Sequence, residues 1–219
     1  TYAGLRQVID KYLVQDRSTN IIYETPQFMY MMIAATLFAK YNGGRLKYVK
    51  DYYDAVSQFY ISLPTPVMAG VRTPTRQFSS CVLIESGDSL DSINATSTSV
   101  VRYISKKAGI GIGAGSIRAA GARVGDGSIV HTGLIPFLKY FQAAVKSCSQ
   151  GGVRGGAATV YLPIWHYEFE DLVVLKNNKG IEETRVRHMD YGFQLNKLMY
   201  ERLLEGRNIT FFDPKDLPK

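Results

Sequence analysis

Cys81 and Cys148 are the two thiols of this 219-residue chain. Two cysteines are too few to staple a secreted fold, and in a reducing compartment a thiol is either small apolar filler or chemistry. Cys81 lies in the apolar run 79–85 (SSCVLIE), which reads as a strand and sets the thiol in mid-strand. On residue type alone, filler is the ordinary reading for it. The three histidines, His131, His166 and His188, are too far apart for a local metal motif. His166 with Glu168 and Glu170 lacks the i, i+4 histidine pair of a zinc-binding helix, so no metal site is expected.

Two glycine-rich stretches could approach phosphate. Residues 109–115 (GIGIGAG) invite a dinucleotide-binding reading, because glycines at a strand-to-helix turn let backbone meet pyrophosphate. The spacing requires a third glycine at 114 or 116, where Ala114 and Ser116 stand, and a nicotinamide-dependent oxidoreductase ranks last. Residues 149–156 (SQGGVRGG) hold four glycines around Arg154. Such a stretch is either a flexible surface connection or a loop whose guanidinium, with its fixed charged donors, reaches a base or phosphate.

The elements that must position these residues alternate in type. Thr25-Pro26 offers an N-cap and first helical position for a helix over 28–41, apolar on nearly every side and so expected to be buried all round. Leu46, Val49, Tyr53 and Val56 give 45–60 helical spacing, and Pro64, Pro66 and Pro74 break the pattern beyond it. A strand over 79–85, a helix capped at Asp88-Ser89 and running to about 107, a helix over 132–148 and a strand over 157–162 make strand-helix alternation. Two more helices are expected over 166–176 and 189–206. The order argues for an α/β sheet or barrel.

At 46% hydrophobic and 21% charged residues, the chain has the composition of a folded domain. It carries no apolar run of membrane-spanning length and no signal-peptide pattern, which leads to the expectation of a cytoplasmic protein. The net charge of +7 is scattered without a basic stripe, so phosphates of small nucleotides explain it as well as a nucleic acid polymer, which is not expected as a partner.

Four longer blocks then carry a resemblance: TPTRQFSSCVLIESGDSLDSINAT (73–96), KKAGIGIGAGSIRA (106–119), CSQGGVRGGAATVYLPIWH (148–166) and VLKNNKGIEETRVRHMDYGFQ (174–194). Together the chain resembles the large subunit of aerobic class I ribonucleotide reductases from about Lys11 onward. The resemblance implies an α/β fold, the N-terminal part of a ten-stranded α/β barrel with flanking helices. Residues 1–60 would be a helical segment leading into the barrel, and 61–219 its first part, with the specificity site. The activity implied is reduction of ribonucleoside diphosphates to 2′-deoxyribonucleotides by a cysteine thiyl radical.

Residue by residue, the resemblance makes Cys81 the first redox-active cysteine, which with a partner thiol delivers two reducing equivalents and becomes a disulfide. It matches Thr65 and Ser80 to groups that hold substrate diphosphate and ribose, and Gly109 and Arg154 to the walls around the base. Asp88, Ser89 and Leu90 match the specificity site, where a deoxynucleoside triphosphate or ATP, with Mg2+, selects the base to be reduced. Arg118 matches a phosphate contact there, and Arg123, in the first effector loop (119–128), stands where the family supplies a further cation. Residues 151–156 match the second loop, which links effector to substrate.

The chain departs from the family pattern in holding no N-x-C-x-E segment, the radical cysteine's context, and neither the ATP-cone nor the later barrel blocks. The sequence is therefore expected to be an excerpt, or one half of a split subunit that a second polypeptide completes. The resemblance further implies a metal-containing small subunit that supplies the radical, a homodimer, thioredoxin or glutaredoxin as reductant, and no cofactor bound by the chain itself. The rival reading is a nucleotide-binding regulatory module without catalysis, which would keep Asp88 and Arg118 but have no use for the Cys81 thiol.

Overall fold

In the computed structural model, which describes residues 1–150 and 154–216, the chain divides into two compact units, 1–80 and 81–219. The first unit is helical: α1 (Tyr2–Lys11), a small antiparallel pair β1 (Gln15–Asp16) and β2 (Ile21–Ile22), then α2 (Pro26–Leu37), α3 (Arg45–Ser57) and α4 (Thr65–Gly70). Thr25 caps α2 as expected, its hydroxyl accepting from the Phe28 amide at 3.4 Å, with Pro26 at the first helical position.

The core of this unit gathers Leu13, Met29, Ile33, Val56, Leu63 and Val71. Leu63 and Val71 belong to that core, so residues 61–80 fold with the helical segment and the boundary falls at Ser80/Cys81, later than residue 60. The helix α2 is not buried all round: Met29, Ile33 and Ala34 are buried, whereas Phe28, Met31, Met32 and Leu37 are exposed, because the unit presents a core to one face of the helix only. Arg72 and Glu24 form an ion pair inside the unit, their side chains 3% and 10% exposed. Glu24 also accepts from the Val14 amide at 2.7 Å, and Arg72 Nη2 donates to the Tyr12 carbonyl at 3.0 Å, so both charges are hydrogen-bonded as burial requires.

The second unit is an α/β sheet. In chain order it holds β3 (Cys81–Glu85), α5 (Leu90–Ser105), β4 (Gly109–Gly113), the hairpin β5 (Arg123–Val124) and β6 (Ile129–Val130), and α6 (Leu134–Ser147). After these come the short pair β7 (Ser149–Gln150) and β8 (Arg154–Gly155), then β9 (Ala158–Pro163), α7 (Phe169–Leu172), β10 (Asp190–Gln194) and α8 (Lys197–Leu204). The four long strands pair in parallel in the order β10-β9-β4-β3, so every sequential neighbour is also a spatial one. Helical crossovers such as α5 and α6 are what parallel pairing of consecutive strands requires.

The register explains the alternation in GIGIG. Val82 and Ile84 of β3, Ile110 and Ile112 of β4, and Val160 and Leu162 of β9 share one face, which packs on Ile93, Val100 and Ile104 of α5 and Leu138, Phe141 and Val145 of α6. The other face carries Cys81, Leu83, Glu85, the three strand glycines, Tyr161 and Gly192. There a Cβ on Gly111 would fall 2.4 Å from Leu83 Cδ2 and 3.1 Å from Tyr161 Cε2. The glycines leave room for large neighbours to lie across the sheet, and GIGIG is a strand in place of a dinucleotide-binding turn.

Three further expectations are corrected. Cys81 opens β3 instead of sitting in its middle. The helix expected over 166–176 shrinks to α7, flanked by turns. The helix expected over 189–206 is split into β10 and α8, because β9 supplies a parallel edge on which Asp190–Gln194 pairs.

Candidate functional site

The strands β3 and β4 carry candidate groups at both ends. At the amino end Cys81 and Gly109 are register partners, Cys81 is exposed, and Ser80 beside it is exposed as well. Both cysteines are free thiols, and Cys148 is half-buried against the core. Thr65 begins α4 in the first unit, where its hydroxyl shares a hydrogen bond with Tyr12 Oη at 3.3 Å. Arg154 opens β8, and its side chain, like residues 151–153, lies outside the described residues.

At the carboxyl ends a second group assembles. Asp88 follows β3 and Arg118 follows β4. Asp88 Oδ1 accepts the Arg118 backbone amide at 2.8 Å, Oδ2 accepts Nε at 2.7 Å, and Nη2 closes the ion pair. The hydrogen bonds from its guanidinium to Asp88 hold the Arg118 pKa above its ordinary value. The third guanidinium nitrogen, Nη1, donates to the Arg123 carbonyl at 2.9 Å, so the arginine links strand β3's exit to the β5–β6 hairpin. The carbonyl of Arg123 thus takes part, while its own side chain is exposed. Ser89, not Asp88, is the N-cap of α5, its Oγ accepting the Ser92 amide at 3.2 Å, and Leu90 at the first helical position is exposed.

A cleft of about 760 Å³ opens at these strand ends, between Glu85, Asp88, Arg118, Trp165, His166 and Lys215. Carboxyl ends of parallel strands are where open α/β sheets ordinarily bind ligands. A guanidinium suits phosphate and a carboxylate suits sugar hydroxyls, so the Asp88–Arg118 clasp has the donor and acceptor set of a nucleotide site. Among the described residues no group of three or more His, Cys, Asp and Glu is arranged to hold a metal ion.

Four residues of this region were not singled out from the sequence as functional. His166 is fully buried, its Nε2 donating to the Ile117 carbonyl at 2.9 Å while Nδ1 accepts the Glu168 amide at 3.2 Å, which sets a neutral Nε2-protonated ring. Glu168 and Asp213 accept backbone amides of the 115–134 segment, and Lys215 Nζ donates to the Arg123 carbonyl. Only the closeness of His166 and Glu168 in sequence hinted at this, since the partners lie 34 and 48 residues from Glu168 and 94 from Asp213. Among the described residues no helix is long and apolar enough to cross a membrane.

Comparison with known proteins agrees with this architecture. Residues 79–219 match the model of the ribonucleotide reductase barrel domain, and residues 1–76 match that of the ribonucleotide reductase all-alpha domain. Over all 219 residues the chain is 66% identical to a ribonucleoside-diphosphate reductase subunit alpha of Haemophilus influenzae and 65% identical to ribonucleoside-diphosphate reductase 1 subunit alpha of Escherichia coli (strain K12). The subunit alpha of Enterobacteria phage T4 is 62% identical over 217 residues, 99% of the chain. The chain spans 29% of the length of each of these relatives.

Proposed function

Because the chain belongs to the ribonucleotide reductase large-subunit family, with residues 1–76 matching its all-alpha domain and 79–219 its barrel domain, we propose that it serves ribonucleoside-diphosphate reduction. The observation that carries this reading is the placement of two groups on one strand: Cys81 begins β3 and the Asp88–Arg118 clasp lies just beyond its end. Four residue steps at about 3.3 Å each put some 13 Å of stiff backbone between the thiol and the strand's exit. A thiol site and a nucleotide site are thereby held apart at a fixed distance.

In this reading Cys81 supplies one of two thiols whose oxidation to a disulfide provides the two electrons, while the ribose 2′ oxygen leaves as water. The fixed strand start gives the thiol its position, which is where such catalysis gains most. Gly109 at the same rung carries no side chain, and the family likeness implies Arg154 and, from the helical unit, Thr65 and Ser80 as further substrate contacts. Asp88, Ser89, Leu90, Arg118 and Arg123 form the specificity site for a deoxynucleoside triphosphate or ATP. The Mg2+ arrives with the triphosphate, and Arg118 exchanges part of its pairing with Asp88 for phosphate. A metal-containing small subunit supplies the radical, a second copy of the large subunit pairs with this one, a further polypeptide or segment completes the barrel, and a cytoplasmic thioredoxin or glutaredoxin reduces the disulfide.

The test has two arms. Mg2+-dTTP binding to the chain, measured by calorimetry, is expected, with Asp88→Ala and Arg118→Ala each weakening it about tenfold or more, as loss of a charge-assisted contact does. Cytidine diphosphate reduction is then assayed with the remaining barrel polypeptide, small subunit, ATP and a dithiol, and Cys81→Ser is expected to abolish dithiol-dependent turnover. Binding without any Cys81-dependent reduction would favour the regulatory-module reading instead.

A further inference from the structure

The 115–134 segment leaves β4 and returns to α6, and two points along it, Ala120 and Leu134, are closed on one oxygen atom. Glu168 Oε2 accepts the Ala120 amide at 3.2 Å and the Leu134 amide at 2.9 Å, joining residues 14 positions apart. Leu134 is the first residue of α6, whose own N-cap, Gly133, has no side chain to offer. Glu168 therefore caps α6 from another part of the chain, where a carboxylate also meets the positive end of the helix dipole. Beside it, Asp213 Oδ2 accepts the Ala119 amide at 2.8 Å and His166 Nε2 donates to the Ile117 carbonyl at 2.9 Å.

These holders are themselves joined. The Tyr167 amide donates to the Phe212 carbonyl at 3.0 Å and the Phe212 amide to the Trp165 carbonyl at 3.0 Å, so residues 165–168 and 212–213 form one support for the loop. Arg118, clasped to Asp88, lies between the contacts at Ile117 and Ala119, and the β5–β6 hairpin with Arg123 lies between those at Ala120 and Leu134.

We propose that Glu168, with Asp213 and His166, is a positioning residue that closes the base of the 115–134 loop and thereby holds Arg118 and Arg123 in register with Asp88 for a nucleotide triphosphate. This rests on the reading of that loop as part of the effector site. Glu168 acts through the loop and contacts no ligand. Both of its bonds to the loop need only an oxygen acceptor, so an amide side chain of equal length retains them and a methyl group loses them.

The experiment compares the unaltered chain with Glu168→Ala and Glu168→Gln. Amide hydrogen exchange over 115–134 is measured without nucleotide, and Mg2+-dTTP affinity by calorimetry. For Glu168→Ala, exchange in the peptides holding Ala120 and Leu134 is expected to quicken and the Kd for dTTP to rise about tenfold, with Glu168→Gln staying within about threefold of the unaltered chain. Unchanged exchange in Glu168→Ala overturns the latch, and quicker exchange with unchanged Kd overturns its link to the nucleotide. Glu168→Gln behaving like Glu168→Ala also overturns it, since the acceptor would then not be what matters. If the unaltered chain takes up no dTTP, the effector reading falls and the link with it, while the exchange arm still decides whether Glu168 closes the loop. Should Glu168→Ala not fold, Asp213→Ala, which frees the Ala119 amide, carries the same expectations over 115–120 and the same overturning results.

Discussion

Cys81 and Gly109 face each other as register partners on the first rung of β3 and β4, an exposed thiol beside a residue with no side chain. Cys148, by contrast, follows α6, is half-buried against the core, and has the Ser147 hydroxyl 3.8 Å from its sulfur. Reagent access should decide between the two thiols. Under limiting iodoacetamide, Cys81 is expected to be alkylated about tenfold faster than Cys148, as read by peptide mass spectrometry. Faster labelling of Cys148 would contradict the exposure on which the site rests.

The Arg72–Glu24 pair makes a different prediction, for the helical unit. Both side chains are buried, and each has hydrogen bonds to backbone besides the other: Val14 for Glu24, Tyr12 for Arg72. Removing one partner strands a buried charge, and Glu24→Ala or Arg72→Ala is expected to cost about 3–5 kcal/mol in denaturant unfolding. Glu24→Leu combined with Arg72→Met should cost less than either single change, because no lone charge is left. A double variant as damaged as the sum of its singles would show that the charges are not the cause.

Gly133 tests the loop base by steric means. Its φ is +97°, and a Cβ there would lie 2.6 Å from Glu168 Oε1 and 3.0 Å from Ala120 Cβ. Gly133→Ala thus combines backbone strain with displacement of the carboxylate, and should lower stability by about 1–3 kcal/mol. Circular dichroism melts measure the loss, and hydrogen exchange of the Leu134 amide should quicken with it. A melt unchanged from the parent would mean that Glu168 moves aside freely and closes nothing.

How much of this was legible in the sequence depends on where each residue finds its partners. The runs CVLIE and ATVYLP announce themselves because short, largely apolar runs with β-branched residues read as strands, although the helices cover only one face of each and alternate residues of β3 are exposed. Residues 109–113 form a strand against glycine's poor strand propensity, since Leu83 and Tyr161 occupy the space a side chain would need. Residues 190–194 pair only because β9 stands ready 31 positions earlier in the register, a non-local cause that periodicity does not report. Cys81, Asp88 and Arg118 were reached through family-like blocks of sequence, and the fold brings the last two into contact. Glu168 and Asp213 escaped notice as functional residues because their partners are backbone amides, which have no residue letter to read.

Gly155 and Gly156 stand side by side with opposite expectations. A Cβ on Gly156 would lie 2.1 Å from the Val145 carbonyl oxygen, 3.2 Å from that of Cys148 and 3.1 Å from Ile104 Cγ2. Two of those atoms are backbone at the end of α6, so relief requires the chain leaving β8 to move away from the helix. A Cβ on Gly155 meets nothing within 4 Å. The contrast with Gly113 is also informative: there the clashing atoms belong to the Glu85 carboxylate, which can swing aside. Gly156→Ala is therefore expected to destabilise the chain by about 1–3 kcal/mol or more, with Gly155→Ala and Gly113→Ala each within about 1 kcal/mol of the parent. Urea unfolding of the three variants measures this directly. Equal tolerance at 155 and 156 would mean that the close approach of the 154–156 backbone to α6, which ties the start of β9 to that helix, is not maintained in solution.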